Sequence, residues 1–245
     1  MKNFDNNSAV AITRDIYWIG FYEESSKLHC NPYIMIDSED VVLFDPGSIP
    51  DFPLVMRKVI DLVNPQDVSL IITSHQDPDV CGNLAVVEDV VEHDDIRIAA
   101  HINTLRLIQH LGLKSKFYAV NQNDNQISLK SGRILEFVPV PFLHAPGAIM
   151  TYDRKTRSLF SGDVFGAIDD HWSLFADKGF PENMKAFHQA YMPTNAILRP
   201  AMERLQTMDI DCILPQHGSV IEGDRVEVAI DYLKNLPCGI DLAED

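Results

Sequence analysis

Ser74-His75-Gln76-Asp77-Pro78-Asp79 follows directly on the apolar run Ser69–Thr73. A short continuous apolar run reads as a strand buried on both faces. The imidazole and the two acids therefore stand where a sheet hands over to a loop. His75, Asp77 and Asp79 are two residues apart, and side chains at that spacing project to one side of an extended chain. Pro78 biases Asp77 towards extended backbone and opposes a helix through the run. Convergence of all three side chains is the expectation. Taken alone, the run has a plainer explanation: Asp77 or Asp79 caps the next helix, and His75 makes a turn hydrogen bond.

Four further stretches carry side chains of the same kind. They are Leu43-Phe44-Asp45-Pro46-Gly47, Leu143-His144-Ala145-Pro146-Gly147, Phe160-Ser161-Gly162-Asp163 and Pro215-Gln216-His217-Gly218. Singly, His144 reads as a hydrogen-bonded core histidine and Asp163 as a turn residue. His217-Gly218 is more pointed, because glycine lets backbone approach where a side chain would not fit. As a set, His75, Asp77, Asp79, His144, Asp163 and His217 offer three imidazoles and three carboxylates, enough to close around two metal ions. Four of the five stretches fall at strand exits, the usual place for loop-borne ligands on a rigid scaffold.

Around them, short β-branched and aromatic runs alternate with helical patterns. Strands are expected at 9–13, 17–21, 33–37, 41–44, 69–73, 96–100, 117–120, 134–140, 149–152, 158–161 and 212–214. Helices are expected at 53–63, 83–91, 103–111, 184–191, 197–208 and 225–233. Asp51 caps the first helix, Gly112 ends the third, and Pro193 and Pro200 constrain the starts of those that follow. Residues 165–181 show no period and read as a long loop.

The 245 residues are 46 % hydrophobic and 23 % charged, ordinary for a soluble globular protein. No apolar run approaches the ~20 residues of a membrane span, and Met1 to Asn7 lack the apolar segment of a secretory signal. A cytoplasmic protein without a membrane partner is expected. A net charge of −16 argues against nucleic acid as a partner. Cys30, Cys81, Cys212 and Cys238 form no Cys-x-x-Cys pair and read as buried free thiols. Cys81 lies nearest the acidic run in sequence.

The ordered set, from about Trp18 to about Val220, resembles the metallo-β-lactamase fold, and most closely the di-iron domain of flavodiiron proteins. Hydrolases of that superfamily carry His-x-His-x-Asp-His, whereas the flavodiiron branch has His-x-Glu-x-Asp-His, then an Asp in Phe-Ser-x-Asp-x-Phe-Gly and a final Ser-His-Gly. This chain has His75-Gln76-Asp77-Pro78-Asp79, Phe160-Ser161-Gly162-Asp163-Val164-Phe165-Gly166 and Gln216-His217-Gly218. The resemblance implies an α/β (α+β) αββα four-layer sandwich, one metallo-β-lactamase-like domain over residues 1–245 with no flavodoxin domain. It also implies two iron ions, one on His75, Asp77 and His144, the other on Asp79 and His217, with Asp163 bridging. Asp45-Pro46-Gly47 resembles a structural turn beneath the ligand loop. Val80 replaces a family histidine, which directs attention to His29 and His171 as completing ligands; His93, His101, His110 and His188 receive no role.

The chemistry of the set agrees with that implication. An oxygen-rich, harder site suits iron or manganese better than a softer one, and zinc has no redox chemistry to offer dioxygen. The expected function is that of the stand-alone oxygen-binding di-iron proteins. Such a protein binds dioxygen or nitric oxide, either as a sensor or as an oxidoreductase fed by an external reductase, flavodoxin or rubredoxin. A homodimer is compatible with it. The competing reading is a binuclear zinc hydrolase, in which metal-bound hydroxide attacks an ester; Asp77 and Val80 both depart from that pattern.

Overall fold

The computed structural model describes residues 5–22, 27–92 and 95–243; His93 lies outside them. Its first sheet opens as an antiparallel meander of β1 (Val10–Ala11), β2 (Ile16–Trp18), β3 (Tyr33–Ile36) and β4 (Val41–Phe44). After α1 (Phe52–Leu62), the sheet continues in parallel through β5 (Val68–Ile72), beside β4. Then come α2 (Pro78–Cys81), α3 (Leu84–Val91), β6 (Arg97–Ala100), α4 (Ile102–Ile108) and β7 (Lys116–Ala119), giving seven strands in sequence order. The second sheet is built from β8 (Gln126–Ser128), β9 (Ile134–Pro139), β10 (Ile149–Asp153) and β11 (Ser158–Gly162). It is completed, after α5 (Lys185–Tyr191) and α6 (Asn195–Leu205), by β12 (Cys212–Pro215) and β13 (Ile221–Glu222), and α7 (Arg225–Lys234) follows. The spatial order is β13-β12-β11-β10-β9-β8, with β11 and β12 parallel.

Three apolar clusters fill the three spaces between four layers. Phe44, Leu70 and Ile72 of the first sheet face Phe137, Phe160 and Leu214 of the second. The Phe44 and Phe160 rings stack at 3.6 Å, 3° from parallel, a pair worth about 0.5–1.5 kcal/mol beyond its area burial. Val59, Val87 and Leu105 cover the outer face of the first sheet, and Phe187, Leu198 and Ile230 that of the second. The αββα sandwich inferred from the sequence is the architecture observed.

Several local expectations change. Pro78 leaves Asp77 extended (ψ 148°) as expected but does not oppose a helix: it opens α2 as its first residue, where a missing N–H costs nothing. Asp79 therefore sits on a helical turn. Pro200 lies inside α6 rather than near its start. Asp51 occupies the N-cap position of α1 but makes no capping bond, its Oδ2 accepting instead from Ser48 Oγ at 2.5 Å. Strand β8 is too short and polar to have been read from sequence. Gly112 (φ 77°) ends the turn after α4 as expected.

Candidate metal centre

The exits of β4, β5, β11 and β12 lie at one end of the two sheets. There Asp45 adopts a left-handed φ of 46°, and its Oδ1 accepts from Ser74 N at 2.7 Å. The tie runs from the end of β4 to the first residue of the ligand run. Burial pushes the Asp45 carboxyl up to about 6. Asn83 Nδ2 donates to Pro46 O at 2.7 Å, and Gly47 N to Val80 O at 3.0 Å. The Asp45-Pro46-Gly47 turn is thus the support expected beneath the loop.

The six side chains converge. His75 Nε2 lies 3.7 Å from Asp77 Oδ2 and 3.5 Å from Asp163 Oδ2. His144 Nε2 lies 3.2 Å and 2.9 Å from the same two atoms. On the other side, His217 Nε2 is 3.3 Å from Asp79 Oδ2 and 3.5 Å from Asp163 Oδ1. Asp163 thus turns one oxygen to each group. Asp77 fills the N-cap position of α2 yet makes no side-chain cap bond; its carboxylate is directed at the imidazoles instead of the helix. The simpler capping explanation fails here for lack of the capping bond.

Two of the three imidazoles are aimed by their other nitrogen. His75 Nδ1 is 3.0 Å from Ser74 Oγ, and His217 Nδ1 is 3.1 Å from the His29 carbonyl. Gly218 (φ 82°) brings the His217 turn against Ala167, where an added Cβ would stand 2.8 Å from Ala167 N. Phe187 packs 5.4 Å from the His217 ring and Tyr191 6.2 Å from that of His144, forming an aromatic wall on α5.

The electrostatics are those of acids and imidazoles that hold one another charged. Asp163, then Asp77, hold the His144 imidazolium up to about 10. Burial would push His217 down, but Asp79, Cys30 and Asp163 hold it well above its ordinary value. Burial also works against the Asp163 carboxylate, yet His75, His144 and His217 keep its pKa well below the usual range. Two buried polar atoms of the cluster, His75 Nε2 and Asp163 Oδ1, have no hydrogen-bond partner. Buried polar groups are normally satisfied. Inward-facing orphans among acids and imidazoles fit a site built for cations.

Other residues fall differently from expectation. His29 is buried with its ring between Tyr22 and Trp172 (centroids 5.0 and 4.7 Å); it serves the site through its backbone. His171 is exposed, its N–H bound to Asp169 Oδ1. Val80 is fully buried in the outer core. Cys81, close in sequence, donates to the Asp77 carbonyl at 3.3 Å, its thiol pushed up to about 12 by burial. Cys30 is the thiol that reaches the cluster. Its Sγ, an Asp79 oxygen and a His217 nitrogen lie within 4.8 Å of one another, as do the ligating atoms of His75, Asp77 and His144. His188 also matters: its Nε2 accepts from Phe165 N at 3.1 Å, fixing the turn after Asp163, and burial keeps it neutral with a pKa of about 4. Neither signal is local in sequence.

Known proteins share this fold. The fold superposes on the apo state of the chemotaxis sensor ODP from T. denticola with a TM-score of 0.82, at 28 % identity over 96 % of each chain. On the peroxy diiron species of chemotaxis sensor ODP the TM-score is 0.79, at 27 % identity over 95 % of this chain and 97 % of that one. Putative diflavin flavoprotein A 1 of Thermosynechococcus vestitus is 28 % identical over 85 % of this chain and 36 % of its own length. The anaerobic nitric oxide reductase flavorubredoxin of Shigella dysenteriae is 24 % identical over 92 % and 51 %. The chain thus spans about a third to a half of these two curated relatives. The family model described as ODP family beta lactamase matches residues 28–218, and the chain belongs to that family.

Proposed function

We propose that the cluster holds two iron ions and that the protein binds dioxygen there, as a sensor or as a reductase supplied with electrons by another protein. The observation that carries this is Asp163. It is a buried carboxylate with one oxygen towards His75 and His144 and the other towards His217, its Oδ1 lacking a hydrogen-bond partner.

In this reading His75, Asp77 and His144 hold one ion, Asp79 and His217 the other, and Asp163 bridges. Three carboxylates offset most of the charge of two divalent ions, and their oxygen-rich environment favours iron, with manganese next. The bound pair supplies redox chemistry that zinc lacks. The chain's own groups do the rest. Ser74 and the His29 carbonyl orient imidazoles, Phe187 and Tyr191 form one wall, and metal would take the place of the protons that the neighbouring carboxylates favour on His144 and His217.

The sensor ODP and the nitric oxide reductase flavorubredoxin support dioxygen and nitric oxide as the ligands. Turnover requires an external reductase, flavodoxin or rubredoxin. A cytoplasmic location fits the four buried free cysteines, and no helix among the described residues is long and apolar enough to cross a membrane. A homodimer belongs to the same reading, to be checked by sedimentation.

The test is metal analysis of anaerobically purified protein, with a visible spectrum before and after admitting air. Two irons per chain and a new charge-transfer band are expected. Stoichiometric zinc with esterase turnover would replace this reading with the hydrolase one.

A further inference from the structure

The second metal position is the poorer of the two in the expected ligand set: Asp79, His217 and the shared Asp163. The histidine of related motifs is replaced by Val80, whose side chain points into the outer core and is fully buried. The structure places a different donor at that position. Cys30 is 7 % exposed, and its Sγ lies within 4.8 Å of both an Asp79 carboxylate oxygen and a His217 ring nitrogen.

This placement is held by a network joining the two sheets. Cys30 and His217 form an isolated antiparallel bridge, and the next residue, Asn31, locks it. Asn31 N donates to Gln216 O at 2.8 Å, and its Nδ2 to Pro215 O (3.1 Å) and Gly218 O (2.9 Å). Its Oδ1 accepts from Trp18 Nε1 at 2.9 Å, and Tyr33 Oη donates to Pro215 O at 3.0 Å. Four of these hydrogen bonds tie the segment that follows Cys30 to the turn that carries His217, and the fifth, from Trp18, fixes the Asn31 amide. Asp163 Oδ1 provides an independent sign of a ligand: it is 95 % buried by side chain, turned towards His217, and without a hydrogen-bond partner. Donor atoms sharing one ion at metal–ligand lengths of about 2.0–2.3 Å lie at most about 4.3 Å apart. Small side-chain adjustments close the observed spacing.

We propose that Cys30 is a protein ligand of the second metal position, a thiolate completing Asp79, His217 and the bridging Asp163. The inference rests on the bimetallic reading above. On binding, the Cys30 S–H bond breaks, its proton passes to solvent, and a sulfur–metal bond forms with no change in oxidation state. The two positions then differ in kind. The first has nitrogen and oxygen donors only, and the second adds one soft sulfur, so softer ions should prefer it.

The experiment is titration of metal-free protein with cobalt(II), following bound metal and the near-ultraviolet thiolate-to-cobalt charge-transfer band. Two cobalt ions per chain are expected, with the band arising from one of them. In Cys30→Ser the band should disappear while at least one ion is retained; in Cys81→Ala it should remain. Two bound ions without a thiolate band in the wild type, or a band lost only in Cys81→Ala, would overturn the assignment while leaving the bimetallic reading intact. Failure to bind cobalt at all would instead sink the bimetallic reading. Should Cys30→Ser fail to fold, X-ray absorption on the wild type decides: a sulfur scatterer at about 2.3 Å supports the ligand, and a shell of nitrogen and oxygen alone refutes it.

Discussion

Opposite ends of the sandwich each gather three aspartates, one buried and two half-buried, and they neutralise them in different ways. At the strand exits, Asp77, Asp79 and Asp163 face three imidazoles, with His75 Nε2 and Asp163 Oδ1 left open. At the far end, where Ile36 pairs with Val41 and Asp153 with Ser158, Asp15, Asp37 and Asp153 surround Arg133. Its guanidinium grips Asp153 through Nε (2.9 Å) and Nη2 (2.6 Å) and Asp15 through Nη1 (2.6 Å). Lys155 adds a second cation, 2.9 Å from Asp15. Three carboxylates meet two resident cations, and none of the buried orphan side-chain atoms among the described residues belongs to this network. One cluster is closed by its own chain; the other asks for cations from outside. The difference separates a structural charge network from a ligand site, although both gather three aspartates around one buried carboxylate.

Removing the central group of each cluster should break the comparison most sharply. Asp163→Ala takes away the one carboxylate that faces both halves of the centre, and we expect bound metal to fall from two ions per chain to none, measured by elemental analysis on folded protein. Retention of two ions would remove Asp163 from its bridging place. Arg133→Ala should leave metal content unchanged in the folded fraction but strip buried Asp153 of its cation and leave Asp15 and Asp37 with Lys155 alone. The expected loss is about 3–5 kcal/mol in denaturant unfolding, the usual cost of breaking a buried ion pair from one side.

A smaller effect sharpens the same contrast. Ser74→Ala removes the group that aims His75 without touching a ligand. Metal affinity should weaken by about 10–100-fold, as for other outer partners of ligating histidines, with stability in the absence of metal nearly unchanged.

The two ends should also respond to pH differently: both hold lowered aspartates, lost as pH falls, and the metal site adds raised imidazoles, lost as pH rises. His144 is raised to about 10 by its aspartates. Its contribution to the metal-free protein is therefore full below the ordinary imidazole value of about 6.5 and is lost as pH rises towards 10. Asp153, Asp15 and Asp37 are lowered: burial opposes the charge, but hydrogen bonds from Arg133, Lys155 and neighbouring hydroxyls prevail. Their contribution is present above the ordinary carboxylate value of about 3.9 and is lost as pH falls. Thermal unfolding of metal-free protein should weaken on both sides, and bound metal should remove only the alkaline loss, because metal then replaces the protons. An alkaline loss that persists with metal bound would contradict this.

Much of the site was legible in the sequence because four of its five stretches follow strands that announce themselves. Val41–Phe44, Val68–Ile72 and Cys212–Pro215 are wholly buried strands of β-branched and aliphatic residues, so the acids and imidazoles after them stood out. The helical turn under Asp79 was missed because Pro78, read as a helix breaker, is also a good first helical residue. Cys30 was missed for another reason. It meets His217 only through a bridge between distant segments, and no period or spacing encodes that approach. His188 and Arg133 are hidden likewise: their partners Phe165, Asp15 and Asp153 are distant along the chain and are brought near only by packing of helix on sheet and strand on strand.

The most direct test is a crystal structure of the protein loaded anaerobically with ferrous iron, with anomalous scattering recorded at the iron edge. Two peaks per chain are predicted, one among His75, Asp77 and His144 and one beside Asp79 and His217, with an Asp163 oxygen reaching each. A single peak, or two peaks with Asp163 turned away from either, would contradict the account.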